Sequence, residues 1–224
     1  HTLSGGGSTV IEAMYNLTVV DTGTTKGTIK NVNTSTSYGI KFAVKDDKGK
    51  LAALGVDPAK TFFVIWTTTT WTLPANVAIC LGPNFDYALL KANREGETEY
   101  YVVAKELAAN VMQEAGIEEY EIIGTVKGSE LEYVECAHPF LDRKSILILG
   151  DHVTLDSGTG CVHTAPGHGM DDFMVVTQHY PEIPFTVPVD SEGRMTEEAG
   201  FSAGLTTDEA SKVIAKHIHE SGHL

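Results

Sequence analysis

Alternation of apolar and polar residues is the strongest pattern in this chain, and it predicts a protein rich in β-strands. Between residues 38 and 45, one face carries four apolar side chains, those of Tyr38, Ile40, Phe42 and Val44. Lys41 and Lys45 fall on the opposite face, as expected for a half-buried strand. Runs rich in β-branched and aromatic residues predict further strands over residues 62–67, 77–81, 85–91, 99–103, 121–126, 146–149 and 161–164.

Helical periodicity is confined to three segments. The first covers residues 104–115 and ends at Gly116, which is typical of a helix C-terminus. Near the end of the chain, Thr206 and Glu209 have the spacing of a capping box. The helix that follows is expected to bury one stripe of apolar residues, namely Ala210, Val213, Ile214 and Ile218.

The third helix is short and begins around Met170, with an end expected before Pro181. It is expected to bury Phe173 and Val176. Short strands with few helices indicate an α+β fold, whose core we predict to be a closed or nearly closed antiparallel β-barrel with peripheral helices.

Composition narrows the class of protein. The chain has 224 residues, which suits one domain over residues 10–224, and the glycine- and serine-rich residues 1–9 are expected to be a linker. Its formal net charge of -14 argues against a free-standing nucleic-acid binder.

Three widely spaced cysteines favour a reducing compartment, and the chain lacks an apolar run long enough for a membrane helix. We therefore expect a cytoplasmic domain that makes no contact with a membrane.

One candidate for chemistry is the threonine-rich peptide Trp66–Asn76, which reads W-T-T-T-T-W-T-L-P-A-N. A run of β-branched residues can simply be the end of a strand. Here Pro74 follows closely, so residues 67–72 are expected to lie in a turn where hydroxyl groups can point inward as donors and acceptors. Such groups suit a polar ester and a water molecule.

A second candidate is the peptide Gly158–Asp172, which contains His163, His168, Asp171 and Asp172 between glycines and a proline. A buried histidine is more often a core residue than a catalyst, and acids in the first turn of a helix favour its dipole. Because neighbours on a helix are about 100° apart, only one of the two aspartates can easily face a pocket. That carboxylate would suit a substrate ammonium group.

These two peptides together resemble the editing (CP1) domain of isoleucyl-tRNA synthetase. In that family the first peptide reads W-T-T-T-P-W-T-L-P-A-N and the second reads G-T-G-x-V-H-T-A-P-G-H-G-x-D-D. The similarity extends from the strand around Ile40 to the C-terminal helix. One departure is Thr70, where the family usually has proline, and it implies a less rigid turn.

The resemblance implies a role for each matched residue. Thr67, Thr68 and Thr69 would surround the ester and water, and Asp172 would hold the substrate's amino group. His163 would limit the size of the side chain that enters. The remaining substrate-binding positions would be Trp71, Thr72, Asn76, Gly167 and His168.

The function implied by the resemblance is hydrolysis of valine wrongly attached to isoleucine tRNA, with no metal or cofactor. An aminoacyl ester is already activated, so a site need only hold it, place water and stabilise the oxyanion. The expected partners are the aminoacylated 3′ end of that tRNA, valyl-adenylate as a further substrate, and the remainder of the parent synthetase.

Three alternatives stay open on the sequence. A valyl- or leucyl-type editing domain is one, although those relatives carry T-T-R-P-x-T in the threonine peptide. Another is a metallohydrolase with ligands drawn from His138, His163, His168, Asp171 and Asp172, although their spacing matches no common zinc pattern. The third is a module that binds the same ligand without turnover.

Overall fold

The computed structural model describes residues 2–3, 17–20, 27–31, 37–94 and 96–223, and the chain divides into two units at residue 37. The first unit contains a three-stranded antiparallel sheet in the order β1-β3-β2, formed by β1 (Thr2–Leu3), β2 (Leu17–Val20) and β3 (Gly27–Asn31). The linker predicted over residues 1–9 lies outside the described residues except at Thr2 and Leu3. The domain boundaries stay a prediction.

The second unit is built on one nine-stranded sheet in the order β12-β6-β11-β10-β4-β5-β8-β7-β9. Its strands are β4 (Tyr38–Asp46), β5 (Thr61–Thr67), β6 (Ala78–Leu81), β7 (Asp86–Arg94), β8 (Glu97–Ala104), β9 (Tyr120–Lys127), β10 (Glu135–Ala137), β11 (Lys144–Leu149) and β12 (Cys161–Thr164). All eight strands predicted here are present. The ninth, β10, was missed because three residues are too few to show an alternating pattern.

The α+β class is confirmed, but the sheet is mixed and not purely antiparallel. β11 runs parallel to β6, and β8 runs parallel to β5. Within the described part of the chain, β12 and β9 are the two edges and no pairing joins them, so the sheet does not close into a barrel. Strand direction depends on how the connections cross, and the residues of a strand carry little information about it.

Three α-helices flank this sheet within residues 37–223, namely α1 (Ala108–Glu114), α2 (Met170–His179) and α3 (Thr207–Glu220). The predicted capping box of α3 is present, with Thr206 and Glu209 bonding each other's backbone N–H groups. Short 3-10 helices lie at Ala52–Leu54, Pro58–Lys60, Thr70–Ala75, Lys105–Leu107, Gly128–Glu130 and Glu197–Ser202. No helix in this described part is both long and apolar enough to cross a membrane.

Two predictions of buried helix residues were wrong. Phe173 is 42% exposed and rests edge-on against Phe185, while Val175 and Val176 are the buried residues of α2. In α3, Val213 is 40% exposed, because the buried stripe follows the four-residue spacing of Ala210, Ile214 and Ile218. Helical period alone did not say how wide the buried stripe would be.

A small hydrophobic cluster, separate from the main core, positions α2 against the sheet. It joins Val175, Val176 and Tyr180 to Ala78 and Cys80 of β6, with further members Val77, Ile148, Val153 and Ile183. Full burial of a valine-sized side chain stabilises a fold by about 1.5–3 kcal/mol. This cluster therefore packs the middle and the end of α2 against β6.

Candidate active site

The threonine-rich peptide leaves the sheet at the end of β5 and forms a turn. Two of its own hydroxyl groups stabilise this turn by hydrogen bonds. The Thr67 Oγ1 atom accepts a hydrogen bond of 3.0 Å from the backbone N–H of Thr69. The Thr72 hydroxyl donates to the carbonyl of Thr69 at 2.8 Å. Thr67 is buried, so its side chain holds the turn from inside.

Thr68 and Thr69 carry the hydroxyl groups that face outward from this turn. Thr68 is exposed and Thr69 is half-buried, and their Oγ1 atoms lie 3.5 Å apart. At this distance the two hydroxyls interact weakly, so both can reorient toward a ligand. They are the available donors and acceptors of the peptide.

The turn is tied to the rest of the fold at Thr70 and Leu73, two contacts that the sequence did not reveal. The buried Thr70 hydroxyl donates to the carbonyl of Ser211 in α3 at 2.8 Å. His138 Nε2 lies 2.8 Å from the carbonyl of Leu73. Thr70 therefore restrains the turn through its hydrogen bond to Ser211, at the position where the family usually has proline. Local sequence offers no signal for these contacts, because the partners are distant along the chain.

His138 is a structural residue in this arrangement. Its Nδ1 atom accepts hydrogen bonds from the backbone N–H groups of Phe140 and Leu141, at 3.3 and 3.0 Å. The proton of the neutral ring must then lie on Nε2, where it is donated to Leu73. Burial lowers the pKa of His138 to about 3, so the ring is neutral near pH 7.

His163 on β12 connects the two candidate peptides. Its Nδ1 atom lies 2.8 Å from Asn76 Nδ2, and its Nε2 atom lies 3.0 Å from Thr72 Oγ1. Asn76 Nδ2 also donates to the carbonyl of Ala78 at 3.0 Å, which identifies the amide nitrogen as the atom facing the ring. His163 therefore accepts at Nδ1 and donates from Nε2 to Thr72, which in turn donates to Thr69.

Burial is the main reason that the pKa of His163 falls to about 4, and the nearby His168 and Arg143 lower it further. Near pH 7 the ring is neutral and both of its nitrogens are occupied by protein groups. A general base needs a free lone pair within reach of its proton, and His163 has none unless one of these bonds breaks. The geometry therefore favours a role for His163 in limiting the size of the substrate side chain or in positioning other groups.

Asp172 and Asp171 point to different places. Asp172 is half-buried, and its Oδ2 atom accepts a 2.9 Å hydrogen bond from the N–H of Ala165, directly after β12. Burial raises the pKa of Asp172, and this N–H group opposes the rise. A Cβ atom on Gly169 would lie 2.6 Å from the same Oδ2, so a larger residue there would displace the Asp172 carboxylate. Asp171 is exposed and lines a separate cleft that includes His152 and Tyr180.

The remaining predicted substrate-binding residues have distinct surroundings. Trp71 and His168 are half-buried and meet edge to face, with ring centroids 5.0 Å apart. Burial lowers the pKa of His168. Gly167 faces another part of the chain, since a Cβ atom there would lie 2.8 Å from Val187 Cγ2. The absence of a side chain at Gly167 thus permits close packing against this segment.

The five residues of the metallohydrolase alternative do not form a ligand set. Both ring nitrogens of His138 and of His163 already bond protein groups, and Asp171 points away from Asp172. Across residues 37–94 and 96–223, no three His, Cys, Asp or Glu side chains are close enough to share a metal ion. The expectation of a metal-free site stays a prediction.

Comparison with known proteins relates this geometry to one enzyme family. The chain is 52% identical over 188 residues to the isoleucine--tRNA ligase of Caldicellulosiruptor saccharolyticus, covering 84% of this chain and 20% of that protein. It is 50% identical over 190 residues to the same ligase of Geobacillus thermodenitrificans, covering 85% of this chain and 19% of the relative. This chain is homologous to one segment of isoleucine--tRNA ligases. No protein-family model matches it.

This chain has the fold of known editing domains. GlLeuRS-CP1 superimposes with a TM-score of 0.67 at 16% identity, covering 84% of this chain and 97% of that one. The P. knowlesi cytosolic leucyl-tRNA synthetase editing domain gives a TM-score of 0.65 at 11% identity, with coverage of 84% and 94%. The resemblance inferred from the two peptides is confirmed. The much higher identity to isoleucine ligases favours the isoleucyl type over the leucyl type.

Proposed function

We propose that this chain is a post-transfer editing hydrolase that removes valine from mischarged isoleucine tRNA. The observation that carries the proposal is the hydrogen-bonded connection of Asn76, His163 and Thr72, which joins the two family peptides in one site. Homology to isoleucine--tRNA ligases supports the choice of amino acid. The chain spans about a fifth of the length of these relatives, so the tRNA and the rest of the synthetase are proposed partners.

In this mechanism the ester lies against the threonine turn. The hydroxyls of Thr68 and Thr69 contact the water and the developing oxyanion, while Thr67 keeps the turn in shape. Asp172 holds the substrate's ammonium group through Oδ1, since Oδ2 is committed to Ala165. No protein base is required, because the ester is activated and the water needs only placement.

Size selection in the proposed site depends on His163. Its ring is held on both sides by Asn76 and Thr72, so it cannot move aside without breaking a hydrogen bond. Valine fits beside it, and the additional methylene of isoleucine meets the ring. A hydrophobic pocket distinguishes only modestly between two side chains that differ by one methylene, as in the aminoacylation site of isoleucyl-tRNA synthetase itself. A second site that excludes the larger isoleucyl product and hydrolyses the smaller valyl product removes the remaining errors.

The decisive experiment is deacylation of Val-tRNA and Ile-tRNA, both made on isoleucine tRNA, by the 224-residue chain. We expect hydrolysis of Val-tRNA, little hydrolysis of Ile-tRNA, and the same rates after dialysis against EDTA. Binding of Val-tRNA without turnover would identify a binding module. Loss of activity with EDTA and recovery with a divalent metal would identify a metallohydrolase. A parallel assay with valyl-adenylate tests the second proposed substrate.

A further inference from the structure

A cleft separate from the candidate active site lies between α2, the end of β11 and the turn before β10. Its volume is about 620 Å³, within the range of pockets that hold small organic ligands. Two tyrosines and three carboxylates are among its lining residues, namely Tyr133, Tyr180, Glu132, Asp151 and Asp171. None of the residues assigned to the proposed hydrolysis lines this cleft. The proposed reaction therefore leaves it unexplained.

The negative charge of this cleft is not balanced by cations of the protein. Within the part of the chain that the structure describes, Glu132, Asp151 and Asp171 form no ion pair. Lys50 donates to the backbone carbonyl of Glu132, not to its carboxylate. An acid in the first turn of a helix favours the helix dipole, which accounts for Asp171, but Glu132 and Asp151 lie in turns. Three segments therefore contribute unpaired carboxylates to one cleft.

The two tyrosines place aromatic rings beside these carboxylates. Tyr133 is 47% exposed and meets Tyr180 edge to face, with ring centroids 6.0 Å apart. The Tyr180 ring is held in place, because its hydroxyl donates to Glu132 at 2.7 Å and accepts from the N–H of Leu149 at 3.0 Å. Partial burial raises the pKa of Tyr133, and the charges of Glu132 and Glu182 raise it further, as expected in a negative environment. Aromatic faces beside carboxylates attract cations.

The spacing of the carboxylates argues against a metal ion as the ligand of this cleft. Across the described residues, no three His, Cys, Asp or Glu side chains lie close enough to share one. Carboxylates that are spread over an open cleft instead suit an organic cation, whose ammonium or guanidinium groups are carried on an aliphatic stem. Such a stem can pack on Met174 and on the tyrosine rings, while its charged ends stay near the carboxylates.

We propose that this cleft binds an extended organic cation, supplied either by a free polyamine or by a lysine or arginine side chain of another protein segment. The N–H groups of the cation bond Asp171 and Glu132, and the Tyr133 ring lies against it. Glu132 accepts through Oε2, since its Oε1 atom takes the Tyr180 hydroxyl. The chain spans about a fifth of the length of its relatives, so the remainder of such a protein is one source of the side chain. The inference does not rest on the proposed hydrolysis.

The test measures binding of two probes of equal charge, putrescine and a blocked dipeptide of two arginines, to the 224-residue chain by isothermal titration calorimetry. We expect saturable binding at one site, with an affinity that falls as the salt concentration rises. Asp171→Asn and Glu132→Gln should each weaken it by about fivefold. Glu118→Gln is the matched control, because it removes an exposed carboxylate outside the cleft and should leave the affinity unchanged.

Two substitutions at Tyr133 separate the effect of the aromatic ring from that of apolar bulk. Tyr133→Phe keeps the ring, so we expect it to keep the affinity for the cation. Tyr133→Leu keeps apolar bulk but loses the ring, and we expect about threefold weaker binding. Equal affinities of these two variants would show that the ring does not contact the cation.

The two probes also distinguish the two sources of the cation. Tighter binding of putrescine would identify a free polyamine, and tighter binding of the dipeptide would identify a protein side chain. Equal losses in Asp171→Asn and Glu118→Gln would show non-specific attraction to a domain of net charge -14 and overturn the site. So would the absence of saturable binding with both probes, or displacement by magnesium chloride at matched ionic strength. Since no measurement involves deacylation, failure of the proposed hydrolysis leaves this result unaffected.

Discussion

At the scale of single residues, the site depends on which polar atoms are already committed. Thr67, Thr72 and Asn76 use their side chains to hold the turn and His163. Thr68, Thr69 and one oxygen of Asp172 are left for a substrate. Substitutions in the first group are therefore expected to disturb positioning, whereas substitutions in the second group act on the reaction.

His163→Ala is expected to begin hydrolysing Ile-tRNA while keeping measurable activity on Val-tRNA. Removing the ring removes the clash with the larger side chain, and the threonine hydroxyls stay in place. Deacylation rates on both substrates measure the change in selectivity. Loss of activity on both, together with a wild-type rate that falls as the pH drops through the His163 pKa of about 4, would mean that His163 is a base.

Asp172→Ala is expected to slow deacylation strongly while the fold is kept. A charge-assisted contact to the substrate ammonium is worth roughly 1.5–3 kcal/mol, so the rate should fall by about 10- to 100-fold or more. Asp171→Ala is the matched control, because Asp171 is exposed and lines the other cleft. Equal rates for wild type and Asp172→Ala on Val-tRNA would contradict the assignment.

The double change Thr68→Val and Thr69→Val is expected to slow the chemical step by at least about 100-fold, the typical cost of losing an oxyanion donor. Single-turnover rates measure the step, and a non-hydrolysable valyl analogue measures binding. If only the dissociation constant rises and the single-turnover rate is unchanged, these hydroxyls bind substrate and do no more.

At the scale of elements, the 3-10 helix Thr70–Ala75 is held by contacts from both sides. Thr70 bonds Ser211 in α3, and Leu73 accepts from His138 in the loop after β10. A 3-10 helix of two turns is a weak element by itself. Its position, and with it the position of Trp71 and Thr72, follows from these tertiary contacts.

Thr70→Val removes the tether to α3 and is expected to lower the free energy of unfolding by about 1 kcal/mol. The Thr70 hydroxyl is buried and its bond to Ser211 is 2.8 Å long. Thr177→Val is the matched control, because Thr177 also donates to a backbone carbonyl but lies on the exposed face of α2. Urea unfolding measures both, and an equal effect of the two changes would show that the tether is unimportant.

At the scale of the whole molecule, two neutral histidines, one buried and one half-buried, couple stability to pH. His138 and His163 have folded pKa values of about 3 and about 4, below the value near 6.5 expected in the unfolded chain. The unfolded state therefore binds more protons below pH 6.5. Their stabilising contribution is complete above pH 6.5 and is lost as the pH falls toward 4.

The free energy of unfolding should fall by about 1.4 kcal/mol for each of these histidines per pH unit below pH 6.5. Urea titrations between pH 7.5 and pH 5 measure the slope, and His138→Asn should reduce it by the share of one histidine. His219→Asn, at an exposed position of α3, is the control and should leave it unchanged. A flat profile from pH 7.5 to pH 5 would contradict the burial of both rings as neutral groups.

The sequence by itself determined the elements and the two peptides of the site. Alternation located one strand of the main sheet, and runs rich in β-branched and aromatic residues located seven more. Thr206 and Glu209 marked the start of α3, and the two motifs identified the residues that meet around His163. These features are local, because period, caps and turns depend on neighbouring residues.

Only the tertiary structure decided the features that depend on distant partners. The parallel pairing of β6 with β11, the tether from Thr70 to Ser211 and the exposure of Phe173 all depend on packing between segments far apart in the chain. The proton position on His163 was decided in the same way, because it requires Asn76 at one ring nitrogen and Thr72 at the other. A linear pattern does not contain these distances, since they arise when the sheet assembles.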